Sequence, residues 1–189
     1  LLEALAAKGA QVLALEALAA HKGSVLGSLP DAVQPSQKLF ESRLLAVLQG
    51  LTISHPVFVE ADSRRIGQLQ VPDALLETMR AAECARIEAP VEARVAFLIE
   101  EYRHFLADPA TLKAQLDCLI GLYGKEIIAG WRERADRRDW DGLVAALLTA
   151  HYDPAYRRST HKNYARLADA HVVRPPDLSP ASIAGLATE

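Results

Sequence analysis
Side chains able to handle a charged ligand gather in a few short segments, three of them directly behind apolar runs. The loop HKGSVLG, residues 21–27, offers His21, Lys22 and Ser24 as donors, while Gly23 and Gly27 permit close backbone approach. Such a loop suits an anion, and equally a solvated glycine turn. VEADSRRIG, residues 59–67, closes an apolar run with Glu60 and continues through Asp62, Ser63, Arg64 and Arg65. In phosphate-handling α/β proteins an acid at this point can orient a metal or its water, and an arginine can meet phosphate oxygens with two parallel bonds. The alternative is a salt-bridged corner holding Glu60 to Arg64. In EAPVEAR, residues 88–94, Arg94 falls about one turn into a helix, where pairing with Glu88 or Glu92 is the simpler role.

QPSQKLFE, residues 34–41, sets Gln34, Gln37 and Lys38 around a helix start that could receive an anion. HYDPAYRRS, residues 151–159, joins two tyrosines, an Asp-Pro turn and paired arginines. Tyr156 and Arg157 are the candidates there for RNA contact or for closing a site, because stacked bases and phosphate backbones use such pairs. The alternative is a capped helix end with ordinary tyrosine packing. Arg132, Arg134, Arg137 and Arg138 form another basic group, but Glu133, Asp136 and Asp139 interleave with it and favour a solvated face.

To serve one ligand, the first three segments must lie at strand ends on a common edge, since open parallel sheets bind ligands at the carboxyl ends of their strands. The pattern predicts a short helix up to Gly9, then strands at 11–15 (QVLAL), 57–59 (VFV) and 85–88 (ARIE). Helices starting near Ser36 and Pro72 separate them, which implies a parallel sheet covered on both faces. From Pro90 onward helical periodicity dominates, over 91–106, 109–122, 125–137 and 139–151. A turn at Asp153-Pro154, a polar stretch, an edge strand at Val172-Val173 and a helix over 180–186 capped by Ser179 complete the prediction.

Composition narrows the class. The 189 residues are 50% hydrophobic and 24% charged, as in an ordinary globular domain, which excludes disordered and collagenous chains. A net charge of -3 supplies no global field to recruit nucleic acid, so any RNA contact must be a local patch. Glu3, Lys8 and Glu16 interrupt the apolar opening, so it reads neither as a signal peptide nor as a membrane span. Cys84 and Cys118 form no CxxC pair and have no second ligand at metal spacing, which predicts no zinc site and a reduced, cytosolic-type compartment.

The ordered set LEALAAHKGSVLG, QPSQKLFE, VFVEADSRRIG and HYDPAYR resembles the carboxyl-terminal part of the tRNA 2-selenouridine synthases, and the similarity runs to about Arg158. The resemblance implies an α/β fold, a short parallel sheet of P-loop NTPase type flanked by helices with an appended C-terminal helical subdomain. It divides the chain into an α/β part at 1–90, a helical part at 91–151 and a closing segment at 152–189. In that family a rhodanese-like domain with a catalytic cysteine precedes a P-loop domain. The family replaces sulfur by selenium in wobble 2-thiouridine of tRNA, using selenophosphate, and geranylates the same sulfur from geranyl diphosphate. On this basis His21, Lys22, Gly23 and Ser24 are expected to border a phosphoryl or pyrophosphoryl group, with Glu60, Ser63 and Arg64 as the acid-and-arginine corner opposite.

No GxxxxGKS or GxxxxGKT occurs, and residues 1–7 resemble the helix that would come directly after such a loop. With Met79 as the sole methionine, the chain is expected to be part of a longer cytoplasmic protein that carries the phosphate loop and the rhodanese domain. Cys84 and Cys118 inherit no catalytic role, and no tightly bound cofactor or metal is expected. The family tends to carry Asp where this chain has Ala14. A noncatalytic module docking tRNA or another domain is the second expectation. A small-metabolite kinase, the third, leaves the four motifs unexplained.

Overall fold
In the computed structural model, which describes residues 1–188, the chain is α/β, with short parallel strand pairs flanked by helices, a form consistent with a P-loop-like fold. It divides into two compact units. The first holds Leu1–Glu88, Ser159–Pro175 and the described residues from Ser179 onward; the second holds Ala89–Arg158 and Pro176–Leu178.

In the first unit, α1 (Leu2–Ala7) leads through Gly9, at φ +87, into β1 (Gln11–Leu13). β1 pairs in parallel with β2 (Val57–Val59), Gln11 opposite Val57 and Leu13 opposite Val59. The strand predicted over 11–15 stops early, because Leu15 begins a short helix, α2 (Leu15–Ala19). Leu15 and Ala19, four apart, are both buried, and a short apolar run of this kind carries no periodicity that separates strand from helix. α3 (Gln37–Gly50) starts where expected, with Ser36 Oγ accepting the Leu39 N–H at 3.3 Å.

Beyond β2 the segment expected to be a loop forms a hairpin, β3 (Arg65–Ile66) and β4 (Leu69–Gln70). Ile66 and Leu69 are buried while Arg65 and Gln70 are exposed, an alternation too short to register as a strand signal. Gly67, at φ +59, takes the first turn position, where two-residue hairpins favour glycine. α4 (Asp73–Ala81) starts after Pro72, and β5 (Ala85–Ile87) pairs in parallel with β6 (His171–Val173). The strands therefore make two separate parallel pairs and a hairpin among the described residues, where one sheet was expected. Phe40, Leu44, Ile66, Leu69, Leu76 and Met79 close the core around Leu13 and Leu15.

The second unit is helical: α5 (Val91–Glu101), α6 (His104–Ala107), α7 (Pro109–Asp117), α8 (Ile120–Tyr123), α9 (Lys125–Asp136) and α10 (Trp140–Leu147). Asp108 and Asp139 cap their helices by accepting the N–H groups of Thr111 and Gly142. Leu116, Leu119, Ile128, Trp131 and Leu143 are buried here. The turn predicted at Asp153-Pro154 is absent. A π-helical turn, Leu148–Tyr152, runs straight into α11 (Asp153–Asn163), so Pro154 lies within a continuous helical run, and Ala150 O, four residues before it, accepts from the Tyr123 hydroxyl at 3.3 Å instead. Arg94 pairs with Asp153 rather than Glu88 or Glu92, its two guanidinium nitrogens 3.0 and 2.5 Å from the carboxylate oxygens. α12 (Pro180–Leu186), capped by Ser179, ends the described chain, and no helix among these residues is long and apolar enough to cross a membrane.

Candidate functional site
β1 and β2, running in parallel, release their chains at the same end, and the segments that leave them meet there. Leaving β1, α2 presents Glu16 in its first turn and delivers the loop that starts at His21. Leaving β2, Glu60 turns back so that its Oε1 accepts the Glu16 N–H at 2.7 Å. Asp62 Oδ1 accepts the Ser63 N–H at 2.6 Å. Gly23 lies between the two segments at φ +64, and a Cβ there would come within 3.0 Å of both Asp62 Oδ1 and Glu16 Oε1.

These carboxylates are partly buried and close to one another, and both conditions disfavour their charge. Burial, then Asp62 and Glu60, raise Glu16 to about 7, while Lys22 draws it down. Asp62 rises to about 6, through burial first and Glu60 after, against the pull of the Ser63 N–H. Burial raises Glu60 as well, and the Glu16 N–H holds it partly down. Lys22 is lowered by burial, against the attraction of Glu16. Ser24 Oγ, Glu60 Oε2 and Asp62 Oδ2 are buried without a hydrogen-bond partner among the described residues. The cluster can thus exchange protons near neutrality, and it holds one hydroxyl ready to donate.

Of the residues expected from sequence, His21, Lys22, Gly23, Ser24 and Glu60 come together here. The loop is folded on itself: Lys22 N–H reaches Gly27 O at 2.8 Å, Ser24 N–H reaches Lys22 O at 2.7 Å, and Gly27 N–H reaches Ser24 O at 2.9 Å. His21 is buried, and its Nδ1 accepts the Gly23 N–H at 3.1 Å, which leaves its proton on Nε2 when neutral. The amides so bonded make no anion nest, and the donors left to the loop are side chains, Lys22 Nζ, which attracts Glu16, and the buried Ser24 Oγ. Ser63 is exposed, its hydroxyl donating to Arg65 O at 2.5 Å. Arg64 pairs with the exposed Asp73 of α4, so the corner between Glu60 and Arg64 does not form. Tyr156, 60% exposed, and Arg157 lie on α11 in the second unit.

Sequence reasoning passed over Glu16, whose signal was an acid one residue into a helix just beyond a strand end. It also misassigned the two glutamines. Gln34 donates to Ala19 O and Ile66 O and accepts from Gln68 N–H, and Gln37 exchanges bonds with Gln70, so both amides hold backbone rather than an anion. In the second unit a groove of about 470 Å³ is lined by Trp131, Arg134 and Arg137, but Arg134 pairs with Asp139 and Arg137 with Glu133, in keeping with a solvated face. Among the described residues no group of three or more His, Cys, Asp or Glu side chains is arranged to hold a metal ion.

A family model described as the tRNA 2-selenouridine synthase AAA domain matches residues 2–118. A protein of Chromohalobacter salexigens named tRNA 2-selenouridine synthase is 41% identical over 168 residues, covering 76% of this chain and 46% of its own length. The protein of that name from Shewanella sediminis is 28% identical over 189 residues, covering 83% of this chain and 50% of its own. The one from Nitrosomonas europaea is 38% identical over 94 residues, covering 48% and 24%. The matched part thus spans between about a quarter and half of these relatives. No solved structure matches the chain. With more than half of its residues inside the family model, the chain belongs to the tRNA 2-selenouridine synthase family.

Proposed function
We propose that this chain serves the exchange of sulfur for selenium in wobble 2-thiouridine of tRNA, with selenophosphate as selenium donor and a geranylated intermediate formed from geranyl diphosphate. It acts as the phosphate-handling part of a longer cytoplasmic enzyme that also carries a rhodanese domain. The observation that carries this reading is the loop that brings Lys22 to Glu16 and Gly23 against Glu16 and Asp62, with the buried Ser24 Oγ next in sequence left unpartnered, in a chain of this family. Lys22 offsets charge on a departing phosphate or pyrophosphate, and Ser24 donates to one of its oxygens. Glu16 and Asp62 take up protons near neutrality, which limits their repulsion of the anion. Arg64 reaches the same group when it leaves Asp73, and Tyr156 with Arg157 contacts RNA. None of these side chains is a nucleophile for the transfer, so the chain alone turns over no tRNA. Incubation with 2-thiouridine tRNA, geranyl diphosphate and selenophosphate, with nucleoside mass spectrometry as the readout, tests this. The longer protein forms 2-selenouridine and the 189-residue chain forms none; a Lys22→Ala, Ser24→Ala double variant of the longer protein with unimpaired turnover refutes the assignment of the site.

A second reading, a noncatalytic module that docks tRNA or another domain, draws on the loop's internal hydrogen bonds and on a cluster of three carboxylates of which one, Glu16, attracts Lys22. A longer protein that forms 2-selenouridine equally well after the same double substitution favours it.

A further inference from the structure
We propose that Gln34 is a positioning residue, which fixes the end of α2 against the β3–β4 hairpin and so holds the two strand-end segments in register with each other. Its Nε2 donates to Ala19 O at 3.2 Å and to Ile66 O at 3.0 Å, and its Oε1 accepts the Gln68 N–H at 2.8 Å. Ala19 is the last residue of α2, and Ala20, left-handed at φ 50, then turns the chain into His21. Ile66 and Gln68 stand on either side of Gly67 in the hairpin that begins three residues beyond Asp62. One amide therefore ties the segment carrying Glu16 and Lys22 to the segment carrying Glu60 and Asp62.

The chemistry demands an amide, since only that neutral group both donates twice and accepts. A carboxylate would face two carbonyl oxygens, and an alanine would leave them unmatched. The hairpin is shaped to admit it: a Cβ on Gly67 would come within 2.2 Å of Gln34 Oε1. Gln37 provides the contrast. It bonds the Gln70 N–H at 2.9 Å and the Gln70 O at 2.8 Å, gripping the same hairpin from α3, with no hydrogen bond to α2 among the described residues.

The inference rests on the proposed function only for what the cluster is used for, and its test needs no substrate. In the 189-residue chain, carbon-detected NMR tracks the titration of the Glu16 carboxyl, which reports on Asp62, Glu60 and Lys22 around it. Gln34→Ala and Gln34→Glu bring the Glu16 midpoint down toward an ordinary glutamate by about one pH unit, a tenfold change in proton affinity. Gln37→Ala lowers the melting temperature and leaves the Glu16 midpoint in place. An unmoved midpoint in both Gln34 variants overturns the proposal, and so does an equal shift in Gln37→Ala. Failure of both Gln34 variants to fold also overturns it, since the amide is then a requirement of the core. A shifted midpoint beside an inactive longer enzyme counts against the proposed function and leaves the positioning role standing.

Discussion

The carboxylate of Glu60 accepts the backbone N–H of Glu16 across 2.7 Å, so the acid that ends β2 sets the first turn of the helix that leaves β1. This one bond joins residues 44 apart in sequence and brings a second carboxyl, that of Glu16, onto the same strand edge.

Glu60→Ala removes the acceptor from that turn and is expected to lower stability by about 1 to 2 kcal/mol, as loss of a helix cap or a partly buried hydrogen bond does. Glu60→Gln keeps an oxygen for the N–H and removes a charge repelling Glu16 and Asp62, so it is expected to stay within about 0.5 kcal/mol of the parent. Urea denaturation of both variants checks the order, and an alanine variant as stable as the parent would show that the turn holds without Glu60.

Stability should fall as pH rises through the acid range. Glu16 and Asp62 bind their protons more tightly folded than unfolded, because their folded values of about 7 and about 6 lie above the ordinary ones. Between the unfolded and folded values the native state holds the extra proton, so stabilisation present below roughly pH 4 is lost by roughly pH 7. Both side chains keep some solvent contact, and screening leaves on the order of 1 kcal/mol from each. His21 works in the opposite direction, since burial lowers it and its neutral form is favoured on folding. Urea midpoints of the parent and a Glu16→Gln, Asp62→Asn double variant across roughly pH 4 to 8 isolate the carboxyl contribution. The difference between the two profiles should grow with pH, and parallel profiles would contradict the burial of these acids.

Gly23 and Gly9 both sit at positive φ, +64 and +87, but only Gly23 has carboxylate oxygens 3.0 Å from where a Cβ would stand. Gly9→Ala is therefore expected to cost about 1 kcal/mol from backbone strain alone. Gly23→Ala should cost at least about 1 kcal/mol more, because two oxygens must also move apart. Chemical denaturation of the two variants gives the difference, and equal losses would mean the carboxylates yield freely.

Arg64 is tied to Asp73 in an exposed pair, so Arg64→Lys should change the melting temperature little, the pair being worth less than about 1 kcal/mol. If Arg64 leaves Asp73 to hold a phosphoryl group, as proposed above, the same substitution in the longer protein costs that two-pronged grip and slows single-turnover selenation roughly ten- to a hundredfold. A destabilised variant of normal rate would make Arg64 a structural corner.

Local signals were legible in the sequence wherever a cap or a proline punctuated it. Ser36, Pro72, Asp108, Asp139 and Ser179 each stand at a helix start, and the apolar triplet before Glu60 and the pair Val172-Val173 lie in strands. The features that could not be read depend on partners distant in the chain. Arg94 had two acids nearby and chose Asp153, 59 residues away. Gln34 and Gln37 looked like anion donors beside a helix start because the hairpin that claims them was itself invisible. α2 escaped notice since five residues have no room to show a period. The site was half legible: the strand ends drew attention to Lys22, Ser24 and Glu60, while Glu16 entered only through the fold.

Among the described residues β2 and β5 each pair on one side only, and each shows large apolar side chains to solvent, Val57 and Phe58 at 37% and 38% exposure on β2 and Ile87 at 43% on β5. An open, greasy strand border of this kind is a template on which another chain can crystallise its own backbone bonds. Colloidal behaviour, more than unfolding temperature, will thus set the concentration at which this chain can be handled. Light scattering should show it gathering into larger particles as concentration rises, and a lysine in place of Phe58 should hold it dispersed without touching the carboxylate cluster.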